Sequence, residues 1–105
     1  EKIIRKEAKQ YLPDRLKQLS ALHNIPFHSV KINNARTRWG SCSSNNQINL
    51  TLKLMLLPAH LIDYVLLHEL AHVVHKNHSP KFWAFLSSLT DDILQKRNEL
   101  KKYNL

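Results

Sequence analysis

Residues 59–76 constrain the rest of the chain more than any other stretch. Leu61, Tyr64, Val65, His68, His72 and His75 fall on one stripe of a helix, and Ile62, Leu66, Leu70, Val73 and Val74 lie on the other side. A helix that is apolar around most of its circumference is buried around most of it. The remaining elements must therefore wrap this one, and its polar residues must line an interior cleft rather than an open surface.

The flanking sequence supplies the wrapping. Residues 2–22 predict a basic amphipathic helix, with Ile4, Ala8, Tyr11, Leu12, Leu16, Leu19 and Leu22 at spacings of three and four. Pro13 lies inside that pattern and predicts a kink or a second helical start at Asp14. Residues 27–33 alternate as a strand, and residues 36–42 form another extended segment. Ser43-Ser44-Asn45-Asn46 is a turn cluster, because Asn tolerates positive φ. Residues 47–52 set Ile48, Leu50 and Leu52 against Asn49 and Thr51, the alternation of a half-buried strand. The expected sheet is small and antiparallel, a hairpin with a third strand beside it. Leu54 to Leu57 make an apolar connector, Pro58 suits the first turn of the central helix, and Asn77 offers a left-handed cap at its end. Ser79 and Pro80 begin the next helix, with Phe82, Trp83, Phe85 and Leu86 as its apolar face. Thr90 caps a last helix opened by Asp91 and Asp92 and running through Ile93, Leu94 and Leu100. The fold class is α+β.

Within the central helix, His68-Glu69-Leu70-Ala71-His72 reads His-Glu-x-x-His. At helical geometry the two imidazoles lie about 40° and about 6 Å apart, near enough to meet one zinc ion at about 2.0–2.1 Å. Glu69 points about 100° away from His68, which suits general-base work on a metal-activated water and return of the proton to a leaving amine. Two ligands are too few for a catalytic zinc, which takes three plus a water. His75 and His78 are the candidates for the third. His75 shares the stripe but sits about 10 Å further along the axis than His68. His78 lies beyond the expected helix break and can turn back across the site, so it is preferred, with His75 at the rim. The spacing also fits metzincins, but their glycine position is His75 here and the only methionine, Met55, precedes the motif.

Composition narrows the class. With 105 residues, the chain suffices for one domain, 1–105, with one modest core. No apolar run approaches the length of a membrane span, and no signal-peptide pattern is visible. The chain begins with Glu1 rather than Met, which is read as a piece of a longer protein. Cys42 is the only cysteine, which excludes an internal disulfide and fits a cytoplasmic location. A net charge of +8 implies either a solvated surface or attraction to nucleic acid, with no recognisable nucleic-acid motif accompanying it.

Several blocks together resemble a known family. Arg38-Trp39-Gly40-Ser41-Cys42-Ser43, Ile48-Asn49-Leu50, Asp63-Tyr64-Val65 leading into the His-Glu-x-x-His segment, Asn77-His78-Ser79 and Phe82-Trp83 match the YgjP-like metallopeptidases in order and spacing, over residues 3–102. That family is similar in its site to SprT-like metalloproteases. The resemblance implies a zincin-like minimal domain, one Zn2+ held by His68, His72 and His78, Glu69 as general base, and a peptide or protein substrate. It also implies that this chain is the C-terminal half of a longer protein. Arg38, Trp39, Tyr64 and His75 are candidates for cleft or oxyanion-stabilising residues, and Cys42 for a fourth ligand in a latent state. His23, His28 and His60 read as surface residues. Two other readings stay open: a basic nucleic-acid-associated module with a structural zinc, and a peptidase acting on DNA-bound proteins. The oligomeric state is not legible.

Overall fold

The computed structural model describes residues 2–103. Helix α1 (Lys2–His23) forms as the periodicity predicts, burying Ala8, Leu12, Leu16 and Leu19 on one face. Pro13 neither ends nor splits it: the helix is continuous through the proline, which forgoes only its own N–H bond back along the helix. Tyr11 and Leu22, expected on the apolar face, are exposed, Leu22 at 74%. Asn24, at φ 57°, turns the chain out of the helix, and the Ile25 amide donates to the Ser20 carbonyl at 2.9 Å.

The sheet contains β1 (Ser29–Asn33), β2 (Gly40–Cys42) and β3 (Gln47–Thr51), in the order β1-β3-β2. β2 and β3 form the expected antiparallel hairpin, with Gly40 opposite Leu50 and Cys42 opposite Ile48. Its turn uses Asn46 at φ 65°. The expectation of a wholly antiparallel sheet is corrected by β1, which runs parallel to β3 with Val30 opposite Ile48 and Ile32 opposite Leu50. The physical reason is the connection. Between Asn33 and Gln47 the chain goes out along β2 and returns, and that excursion acts as the crossover a parallel pair needs. β3 is thus central, and Ile48 and Leu50 on it are fully buried.

A 3-10 turn over Leu52–Leu56, capped by the Thr51 side chain, replaces the expected plain connector and buries Leu52 and Leu54. Helix α2 (Ala59–Val74) is the buried centre, in contact with α1, β2, α3 (Pro80–Leu89) and α4 (Ile93–Leu100). Leu61, Leu66, Leu70 and Ala71 are inaccessible to solvent. Arg15 fastens α1 to α2: its Nε donates to Asp63 Oδ1 at 2.9 Å and its Nη2 to Asp63 Oδ2 at 2.7 Å.

Two helix ends differ from expectation. α2 stops at Val74, with His75 extended, and Asn77 is not left-handed. At that end the His75 amide donates to the Ala71 carbonyl at 2.9 Å, and the His75 carbonyl accepts from His72 Nδ1 at 3.0 Å. Thr90 closes α3 rather than opening α4, which begins after Asp92 at φ 50°. Lys96 spans that corner, donating to Thr90 Oγ1 at 2.7 Å and to Asp91 Oδ1 at 3.2 Å. Among the described residues no helix is long and apolar enough to cross a membrane.

Candidate metal centre and active-site cleft

The site is built on α2 and closed by the segment leading into α3. His68 and His72 share a face of α2, and the turn after Val74 carries His78 back to meet them. Nitrogen donors of His68, His72 and His78 all lie within 4.8 Å of one another, the one such group of metal-binding side chains among the described residues. Nε2 of His72 and Nε2 of His78 are 3.0 Å apart. Phe82, fully buried on α3, touches all three rings, stacking on His72 with centroids 4.3 Å apart. Trp83 lies nearly parallel to His78 at 5.7 Å.

The chemistry of this donor set fits a borderline-soft divalent ion such as zinc. A carbonyl only accepts, so the bond to His75 puts the proton of His72 on Nδ1 and leaves the Nε2 lone pair facing the cluster. Burial holds His72 below the usual imidazole range, against the opposing pull of the His75 carbonyl. Partial burial, followed by the charge of His68, lowers His78 too. Both effects keep neutral, ligating imidazoles available.

Glu69 follows His68 on α2, lies outside the three-histidine donor set and is 5% exposed. Its Oε2 lies 3.4 Å from His68 Nδ1. β2 packs directly on it: a Cβ placed on Gly40 would stand 3.1 Å from Glu69 Cγ and 3.2 Å from Oε2. A cleft of about 520 Å³ opens at this point. One wall is Arg38, Trp39 and Gly40, the floor includes Tyr64, His68 and Glu69, and the far side is His78, Trp83, Arg97 and Leu100. Burial pushes the Tyr64 hydroxyl up, and the charge of Arg97 partly opposes this.

Of the residues singled out from sequence, His68, His72, His78 and Glu69 come together, and Arg38, Trp39 and Tyr64 line the cleft. His75 does not. Its ring packs on Phe85, and only its carbonyl serves the site, through His72. Cys42 is half-buried on β2, outside the donor cluster, with its sulfur 4.0 Å from Lys76 Nζ and its thiol raised by burial. His60 is exposed, as expected, yet paired: its Nε2 is 3.0 Å from each oxygen of Glu99. Sequence reasoning missed Gly40 as the contact of Glu69, Phe82 as the support of the three rings, and Trp83 and Arg97 as a cleft wall. The adjacent Phe82-Trp83 pair was a usable signal for the first α3 turn; nothing in the sequence marked Arg97.

The fold is that of solved metallopeptidase structures. The metallopeptidase zymogen of Pyrococcus abyssi abylysin superposes with a TM-score of 0.75 at 19% identity, over 90% of this chain and 98% of that one. The metallopeptidase zymogen of Methanocaldococcus jannaschii jannalysin gives 0.71 at 24% identity, over 88% and 93%. At these identities the likeness is one of fold. The chain itself belongs to the YgjP-like metallopeptidases: that family's metallopeptidase domain matches residues 1–103. It is therefore a hydrolase of the metallopeptidase class, acting on peptides or proteins. No curated protein matches it.

Proposed function

We propose that this chain is a zinc-dependent peptidase in which His68, His72 and His78 hold one zinc ion and Glu69 is the general base. The observation that carries this reading is the convergence of three imidazole donors within 4.8 Å of one another, beside a buried carboxylate, at the edge of an open cleft. Three protein ligands leave a coordination position open, the mark of a catalytic rather than a structural zinc. Such an ion supplies Lewis acidity, acidifying water and polarising a carbonyl.

The chain's own residues do the rest. The His75 carbonyl fixes the ring of His72, and Phe82 holds all three imidazoles against rotation. Glu69, packed between β2 and His68, takes a proton from water at a carboxylate oxygen and gives it to the leaving amine nitrogen. Trp39 and β2 form the wall along which an extended peptide lies.

A structural-zinc module would need a fourth protein ligand, and Cys42 lies outside the donor cluster. The net charge of +8 supports a second reading, a peptidase acting on DNA-bound proteins, tested by salt-dependent DNA binding of wild type and Glu69→Gln. For the main reading, exhaustive chelation should abolish peptide cleavage and one equivalent of zinc should restore it. Cleavage that survives chelation contradicts it.

A further inference from the structure

The cleft is lined by two arginines that form no ion pair among the described residues. Arg97 of α4 and Arg38, at the approach to β2, both line it. The Arg97 guanidinium lies over the Trp83 ring, with Cζ 4.9 Å from the centroid. Trp83 in turn lies nearly parallel to His78. The guanidinium is thus held in a stack that ends at the donor cluster. A contact over the ring engages the plane of the guanidinium and leaves its N–H edge available.

Among the described residues neither arginine has a carboxylate partner. Arg97 also borders a cavity lined by three acids, of which Glu99 pairs with His60, Asp91 with Lys96, and Asp92 forms no ion pair with either arginine. Glu69, the one acid lining the cleft, packs against Gly40 and His68.

We propose that Arg97 and Arg38 select the substrate by binding a carboxylate on it, so that this site takes peptides presenting a carboxylate there in preference to peptides without one. The proposal rests on the peptidase reading above and names its substrate class. A guanidinium with a free edge receives a carboxylate through two parallel N–H···O bonds. Two carboxylates of a peptide present that shape: an Asp or Glu side chain, and the terminal α-carboxylate.

The test is titration calorimetry on zinc-loaded Glu69→Gln protein, which isolates binding from turnover. The probes are short peptides, acetylated and amidated, with a central Glu, Gln or Lys, and the Gln peptide with a free C-terminal carboxylate. The Glu peptide or the free acid should bind about tenfold more tightly than the blocked Gln peptide, equivalent to about 1.4 kcal/mol. Whichever is favoured identifies the carboxylate. The advantage should shrink as salt rises, fall to within about twofold when Arg97→Gln is added, and survive in part with Arg97→Lys. Unchanged circular dichroism and zinc content keep the comparison among folded proteins. Equal binding of all the peptides overturns the proposal. So does a full advantage retained in the Arg38→Gln, Arg97→Gln double variant. So does a random single-stranded oligonucleotide that displaces the Glu peptide at lower concentration than the Glu peptide itself. Wild-type cleavage separates the two levels. Cleavage of every peptide alike overturns charge selection and leaves the peptidase reading standing. Preferential binding without any cleavage overturns the peptidase reading and leaves charge selection standing.

Discussion

Gly40 and Glu69 touch so closely that a side chain at position 40 would press on the carboxylate. A Cβ on Gly40 would meet Glu69 Cγ at 3.1 Å and Oε2 at 3.2 Å, and the Asn49 carbonyl at 3.1 Å. That carbonyl belongs to the central strand of the sheet and cannot yield without disturbing two strand pairings, so Glu69 must. Gly40→Ala should therefore displace the carboxylate and lower kcat between about tenfold and about a hundredfold, with zinc content unchanged. The added methyl should also cost about 1 kcal/mol of stability. Steady-state kinetics beside metal analysis checks this; an unaffected kcat would remove Gly40 from the positioning of Glu69.

On the proposed ligand set, His78→Ala and His75→Ala should separate cleanly. His78 contributes a donor nitrogen, whereas His75 contributes a backbone carbonyl that alanine retains. Loss of His78 should weaken zinc binding by more than about a hundredfold, and loss of the His75 ring by less than about tenfold. Competition with a chelator of known affinity measures both, and the reverse order would exchange their roles.

The pH dependence of the metal-free protein follows from His72. Burial lowers its folded value below the ordinary imidazole value of about 6.5. In the window between the two values the unfolded chain binds more protons than the folded one, so unfolding free energy rises with pH there. Stability is then full above about pH 6.5 and is lost as pH falls through the folded value. Thermal unfolding across a pH series should show this decline, and His72→Gln should flatten it. His78 acts in the same direction but more weakly, because it is exposed.

Asp63→Asn should destabilise the fold by about 1 kcal/mol. The Arg15–Asp63 contact is bidentate and ties α1 to α2, but both side chains are about one-third exposed, 32% and 29%, which limits its worth. Urea unfolding at low and high salt checks it: the difference from wild type should narrow as salt rises.

What could be read from sequence was what local geometry decides. The spacing of His68 and His72 fixes their common face, and Ser79-Pro80 marks a helix start wherever it packs. The rest depended on distant partners. β1 carries no sign of its direction relative to β3, because strand alternation reads the same both ways. α2 ends at His75 with no capping side chain of its own; its carbonyl is met instead by the His72 ring one turn back. Leu94, one of the apolar residues through which the last helix is expected to run, is 69% exposed, whereas Ile93 and Leu100 pack against the core. Arg97 reaches the cleft only because of that docking. Its neighbours in sequence give no hint of Trp83.

The most direct test of the central claim compares zinc-loaded wild type and Glu69→Gln side by side on a broad peptide library. Both should carry one zinc ion per chain. Wild type should cleave, and the variant should be slower by about 10²–10⁴-fold. A variant that cleaves as fast as wild type, or a zinc-loaded wild type that cleaves nothing, would contradict the account.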